Sequence, residues 1–153
     1  MSLRHRRRIG APILALSAAL LVPAAAQAAP PPFPPNVIIG TADPEPLAGG
    51  PRADMIFGLG GDDLIYGAAG ADRIFGGRGA DRIRGGPGPD TIRGGQDADR
   101  IAGGSGNDLI IVSGDGAIDT VLCGDGRWDL AIVDPDDVVA NDCEFVWTRD
   151  PEG

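Results

Sequence analysis

Eight acidic side chains recur at intervals of nine residues through the middle of the chain. Seven are aspartates, the first is a glutamate, and an aliphatic residue follows each of them two positions later. Carboxylate oxygens suit hard divalent cations, and Ca²⁺ accepts about six to eight oxygens whereas Mg²⁺ holds on to its water. The spacing therefore predicts several calcium sites. The candidate ligands are Glu45, Asp54, Asp63, Asp72, Asp81, Asp90, Asp99 and Asp108.

A glycine precedes each acid by five residues, from Gly40 to Gly103 without a slip. Glycines at the first, second and fourth places of a six-residue segment allow positive φ and a tight turn. The three residues after the acid then alternate outward, inward and outward as a short strand, with the aliphatic side chain inward. Two such units complete a coil of 18 residues, so the acids stack in two columns, one starting at Glu45 and the other at Asp54.

Bare stacked carboxylates would oppose this fold. Two charges about 5 Å apart repel by roughly 3 kcal/mol at an effective dielectric of 20. A divalent cation between coils removes the repulsion, and carbonyl oxygens in the glycine turns can complete its ligand shell. Softer metals prefer histidine and cysteine, which the turns lack. The alternative is that the acids are only polar turn residues, as aspartate often is.

The repeat resembles the RTX, or hemolysin-type, calcium-binding nonapeptide. Residues 76–84 read GGRGADRIR and residues 103–111 read GGSGNDLII. The resemblance covers residues 40–111 and implies calcium ions held between the turns of repeats n and n+2. The predicted fold is therefore all-β: a right-handed parallel β-roll, or repeat solenoid, with a disulfide-bonded C-terminal cap.

Some repeats depart from the pattern, which favours the central sites, formed by Asp63, Asp72, Asp81, Asp90 and Asp108. Arg52 places a cation beside an expected ion, so the first turn is predicted to be a metal-poor cap. The second place holds Thr41, Leu59 and Ala68, and the fourth holds Asp43, Arg52 and Asp97.

The first 28 residues are predicted to be a signal peptide. A basic start precedes an apolar run from Ile9 to Val22 and a small-x-small cleavage site at Ala26 to Ala28. The run is shorter than the roughly 20 residues of a spanning helix. Residues 29–39 are predicted to be a proline-rich linker. Export removes four of 13 arginines and none of 22 acids, leaving nine against 22, or −13. That charge repels nucleic acid.

Beyond residues 40–111 the pattern degrades. Residues 112–147 are predicted to hold a degenerate repeat, marked by Gly114, Asp119 and Val121, and then the cap, with a tail at 148–153. Cys123 and Cys143 are predicted to form a disulfide because an exported pair is oxidised. A zinc site is the poorer alternative without histidine. The last acidic group is predicted to hold another ion or to be a solvated loop. It comprises Asp134, Asp136, Asp137 and Asp142.

Two outward features have alternative interpretations. Phe57 and Phe75 should stack on one face with Tyr66 on the other, as a partner-binding strip, as a cross-strand ladder or as a seat for Phe33 of the linker. Five outward arginines either bind polyanions or offset the acidic edges. They are Arg73, Arg82, Arg84, Arg93 and Arg100.

No enzyme is expected, because His5 is the only histidine, lysine is absent, and the exported part keeps only Ser105 and Ser113 as serine nucleophiles. The expected function is calcium binding by a secreted monomer, without an integral membrane segment, that folds when it meets extracellular calcium. It would diffuse away or stay at the cell surface. The alternative is an adhesion or matrix-interaction protein, with a cell-envelope partner, that uses the roll as a scaffold.

Overall fold

The described part of the chain folds into two parallel β-sheets, and the backbone alternates between them as it coils. The structure is a computed structural model that describes residues 35–149; the predicted signal peptide and the last four residues lie outside that range. The seven-stranded sheet contains β1 (Asn36–Ile39), β3 (Asp54–Gly60), β5 (Arg73–Arg78), β7 (Thr91–Gln96), β9 (Leu109–Ile111), β11 (Leu130–Val133) and β13 (Phe145–Thr148). The six-stranded sheet contains β2 (Pro46–Ala48), β4 (Leu64–Tyr66), β6 (Arg82–Pro87), β8 (Arg100–Ser105), β10 (Thr120–Asp125) and β12 (Val138–Val139).

Each strand pairs with the strand one coil later, in a register of 18 residues through the repeats. Ile56 lies opposite Ile74 in one sheet, and Ile65 lies opposite Ile83 in the other. These aliphatic residues point inward between the sheets and are buried, because the outward, inward, outward alternation leaves one core position per repeat. The predicted all-β parallel solenoid is confirmed. Phe57 and Phe75 stack on its outer face with ring centroids 5.0 Å apart.

The glycines in the turns do not all have the positive φ that their first, second and fourth places predict. Second-place and fourth-place glycines from Gly61 to Gly106 have positive φ, as at Gly77 (121°) and Gly79 (108°), but the second-place Gly50 and first-place glycines such as Gly76 do not. Leu59, Ala68 and Asp97 keep positive φ although they carry a Cβ. From Leu59 onward the turn geometry therefore dictates the conformation at the second and fourth places, and the first glycine must serve another purpose.

The roll extends beyond the predicted repeat boundaries at both ends. Most of the predicted linker, residues 29–34, lies outside the described residues, whereas residues 36–39 at its end form β1, which pairs with β3. At the other end, β10 to β13 continue both sheets instead of forming a separate covering element. The predicted disulfide is confirmed: Cys123 in β10 is bonded to Cys143, just before β13. Within residues 35–149, no helix is long and apolar enough to cross a membrane.

Candidate metal centre

A ladder of backbone-to-carboxylate hydrogen bonds joins the acids along each edge of the roll. The N–H of Asp72 donates to Oδ1 of Asp90, and the N–H of Asp81 donates to Oδ1 of Asp99, at 2.8 and 2.9 Å. The same bond joins Asp63 to Asp81 at 2.8 Å, so it recurs in both columns. The sequence prediction that acids two repeats apart stack on each other is confirmed.

The second carboxylate oxygen has no such partner. These Oδ2 atoms are buried, and no protein donor within the described residues reaches them. A buried ionised oxygen without a partner is costly, because neither water nor a donor compensates its charge. The atoms belong to Asp63, Asp72, Asp81, Asp90, Asp99, Asp108, Asp115 and Asp129.

The acidity of these groups reflects the same burial. Desolvation raises the pKa of Asp90 and of Asp99 to about 7, although the backbone hydrogen bond to each carboxylate works in the opposite direction. Neighbouring carboxylates in the column raise both values further. Burial likewise raises the pKa of Asp81 and of Asp108 to about 6. The columns thus hold carboxylates whose negative charge is unfavourable unless a cation offsets it.

The first-place glycine lets the aspartate of its own turn and the backbone of the next coil approach it closely. A Cβ on Gly67 would lie 2.6 Å from Oδ2 of Asp72 and 2.6 Å from the carbonyl oxygen of Gly85, one coil later. Gly76 has the same two neighbours in its own register, Oδ2 of Asp81 and the carbonyl oxygen of Gly94. A carboxylate oxygen of one coil and a carbonyl oxygen of the next therefore converge on the side of the glycine that carries no atom larger than hydrogen.

This donor set fits calcium. Within residues 35–149, no three acidic, histidine or cysteine side chains converge as a metal site, so a bound ion would need backbone carbonyls as well. Calcium accepts mixed carboxylate and carbonyl oxygens in flexible geometry, whereas magnesium demands near-ideal octahedra. The groups that would hold an ion are Oδ2 of the aspartate in one coil and the carbonyl of the first-place residue in the next.

The eight predicted ligands divide into two groups. Six of them, from Asp63 to Asp108, carry a free buried oxygen. Asp54 does not, because its Oδ2 accepts a hydrogen bond from the N–H of Gly50 at 2.5 Å. Glu45 is engaged by the N–H of Thr41. The first two turns therefore satisfy their own acids with backbone N–H groups.

The columns also extend further than the predicted ligand set. Asp99 donates to Asp119, and Asp108 donates to Asp129, each at 2.8 Å. Asp119 in turn donates to Asp137. Asp119 was expected only as part of a degenerate repeat, and Asp129 was missed because the nine-residue spacing slips after Asp108. The remaining signal is an acid followed two residues later by an inward apolar residue, as in Asp129 and Ala131.

The slip in spacing reshapes one turn. Residues 113–117 form an enlarged turn that faces residues 95–97 across a polar cavity of about 610 Å³. Oδ1 of Asp115 accepts the N–H of Ala117 at 3.1 Å, while its Oδ2 is buried without a partner. Asp134, from the predicted acidic group, accepts the N–H of Gly114 at 2.7 Å. The regular turn geometry is therefore lost here, although the acidic character remains.

The fold and its oxygen-lined turns define a parallel β-roll of the kind that holds hard cations between coils. Residues 48–83 and 75–110 match the family described as the RTX calcium-binding nonapeptide repeat, in four copies. The match confirms the sequence resemblance for the repeat region and supports calcium binding. No curated protein matches the chain.

Proposed function

We propose that this chain is a secreted, non-catalytic calcium-binding protein whose roll folds when it binds several calcium ions outside the membrane. The observation that carries the proposal is the column of buried Oδ2 atoms without partners, which at Gly67 and Gly76 lie close to a carbonyl oxygen of the next coil. Cation binding would turn the least favourable feature of the folded chain into its main stabilising interaction.

Coupling between calcium and folding follows from the weakness of the other stabilising interactions. Each repeat adds one buried aliphatic side chain, worth about 1.5 to 3 kcal/mol. Ordering nine residues costs on the order of 10 kcal/mol, and backbone hydrogen bonds offset that cost only modestly. The repeats therefore lack the hydrophobic burial to fold against their own charge, and metal binding supplies the difference.

Export supports the same proposal. The basic, apolar and small-x-small segments within residues 1–28 are typical of a signal peptide. The disulfide between Cys123 and Cys143 is typical of an oxidising compartment, where free calcium is also abundant. Extracellular calcium sites commonly have dissociation constants of about 0.1 to 1 mM, which is the range expected here.

The test is far-UV circular dichroism of the exported chain, from Ala29 with the disulfide formed, titrated with calcium and with magnesium at equal ionic strength. A cooperative gain of β-sheet signal with calcium alone is expected. A chain that is already folded in chelator, or that responds equally to magnesium, would contradict calcium-coupled folding.

A second candidate function is adhesion or matrix interaction with the roll as a scaffold. It is favoured by the C-terminal edge of the seven-stranded sheet, where Phe145, Val146 and Trp147 in β13 are 47%, 48% and 65% exposed. Soluble monomers rarely leave large apolar patches uncovered. Calcium-dependent recovery of the protein with cell-envelope material would support this candidate, whereas equal recovery in chelator would not.

A further inference from the structure

The outer face of the six-stranded sheet carries a cluster of three arginines. Arg82 in β6 lies opposite Arg100 in β8, and Arg84 occupies the second outward position of β6. All three side chains are exposed. Neighbouring strands lie about 4.8 Å apart, so the two paired guanidinium groups project from adjacent positions of one surface.

This arrangement is unfavourable for the chain on its own. Like charges directly opposite each other on a sheet are destabilising. In the part of the chain that the structure describes, the three guanidinium groups make no side-chain hydrogen bond or ion pair. The seven column aspartates from Asp54 to Asp108 cannot serve as partners because they are buried in the turns. Three fork-shaped donors that suit carboxylates, sulfonates and phosphates are therefore left available.

An apolar groove of about 390 Å³ runs between these arginines. Its floor is open at Ala102, whose short side chain lies between Arg84 and Leu122 in the register of the sheet. Leu64 and Tyr66 close the opposite end and are 60% and 42% exposed. A groove of this volume is in the range of small-molecule sites. Its apolar surface and its arginine rim together specify a ligand with two different parts.

We propose that this groove binds a small organic anion with an apolar body, such as an aryl or acyl sulfonate, phosphate monoester or carboxylate. The apolar body would lie over Ala102 and against Leu122 or Tyr66, and the acidic group would pair with Arg82 and Arg100. The chain as a whole has a net charge of −9, so an anionic bilayer or a nucleic acid would be repelled by the surrounding surface. A single small ligand meets mainly the local positive field.

The test uses two fluorescent probes on the calcium-loaded protein: anilinonaphthalene sulfonate and its uncharged analogue N-phenylnaphthylamine. The sulfonate is expected to bind at one saturable site, and the uncharged probe more weakly. The variant carrying Arg82→Gln and Arg100→Gln should weaken sulfonate binding by about fivefold to tenfold, since two exposed charge pairs are lost and each contributes modestly to affinity. The uncharged probe should be affected far less.

A matched control variant carries Arg73→Gln and Arg93→Gln, which removes the same charge from the other sheet and should leave the sulfonate affinity within about twofold. A second pair places one carboxylate on each face: Ala102→Glu should abolish binding, and Thr91→Glu should not. Circular dichroism in calcium verifies that each variant is folded. Three results would overturn the proposal. The first is an equal loss of sulfonate affinity in both arginine variants, and the second is equal affinity for the charged and the uncharged probe. The third is binding to anionic vesicles that depends on Arg82 and Arg100, without saturable probe binding.

The inference concerns the folded surface and not the metal centre, so the two proposals can fail separately. If the repeats fold without calcium, the probe experiment can be carried out unchanged in chelator. Loss of probe binding in a variant that still titrates with calcium would locate the defect in the groove alone.

Discussion

Replacing Asp90 by asparagine should have opposite effects with and without calcium. Asp90 lies in the middle of its column: its Oδ1 accepts the N–H of Asp72, and its own N–H donates to Asp108. An asparagine keeps the amide carbonyl that accepts the first bond. It replaces the buried, unpartnered Oδ2 with an uncharged NH₂ group, so the ladder survives while the candidate calcium ligand is lost.

The magnitude follows from the position in the column. With carboxylates one coil apart, at about 4.8 Å, each neighbour repels Asp90 by about 3 kcal/mol at an effective dielectric of 20, so two neighbours set an upper limit of about 6 kcal/mol. The raised pKa of Asp90, about 7, means that partial protonation relieves part of this at neutral pH. Without calcium, the Asp90→Asn variant should therefore be easier to fold than the parent chain.

With calcium, the Asp90→Asn substitution should instead weaken folding, because a calcium ligand is lost. A bond from a charged ligand contributes about 1.5 to 3 kcal/mol, which corresponds to roughly a tenfold to hundredfold weaker calcium response. The assay is a calcium titration followed by far-UV circular dichroism at pH 7.5, with parallel spectra in chelator. Asp136→Asn, the same change at an exposed acid outside both ladders, is the control and should not move the midpoint. An unchanged midpoint in Asp90→Asn would refute the assignment of this carboxylate to the metal centre.

Three further predictions test the first-place glycine, the disulfide and the buried acids. Gly76→Ala should destabilise the calcium-bound roll by about 1 to 3 kcal/mol, because a Cβ would collide with a carboxylate and a carbonyl. Gly60→Ala, where a Cβ meets nothing closer than 3.8 Å, should not show this steric loss, and thermal melts in calcium compare the two. Replacing Cys123 and Cys143 by serine removes a disulfide that links residues 20 apart and should lower the free energy of unfolding by about 3 kcal/mol. Urea unfolding in calcium measures this change. An unchanged free energy of unfolding would mean that the disulfide does not constrain the unfolded chain. Desolvation raises the pKa of Asp99 from 3.8 to about 7, so protonation stabilises the metal-free roll below about pH 4, and this contribution is lost as the pH rises through 7. Calcium needs the ionised form, so its affinity should fall between pH 7.5 and 5.5, and calorimetric titrations that show no such fall would contradict the assignment.

The regular repeats could be predicted from the sequence because three local requirements recur in one phase. The inward position of Ile74, the stacking of Asp81 below Asp99 and the pairing of 18-residue coils all follow from the alternation of strand side chains and the identity of successive units. The disulfide was also predictable, since only two cysteines are present. These features depend on local chemistry repeated along the chain.

The irregular coils could not be predicted in the same way. Asp129 joins its column although its spacing from Asp108 is not a multiple of nine, because turns of different length can still return a strand to the sheet. The incorporation of β1 likewise depends on pairing with β3, which residues 36–39 do not reveal by their own pattern. Edge strands are recruited by open hydrogen-bonding groups of the neighbouring strand, and that neighbour is distant in sequence.

The sequence by itself therefore determined the coil, its core and the acidic columns, because each arises from residue types repeated at a fixed spacing. Only the tertiary structure decided which carboxylate oxygens are left without partners. The N–H of Gly50 satisfies Asp54, whereas Asp72 in the next coil keeps a free Oδ2 facing a neighbouring carbonyl. The two acids occupy the same place in the repeat, and the difference arises in the turn: Gly50 donates its N–H to Asp54, whereas Ala68, at the same place before Asp72, has positive φ (77°) and donates no such bond.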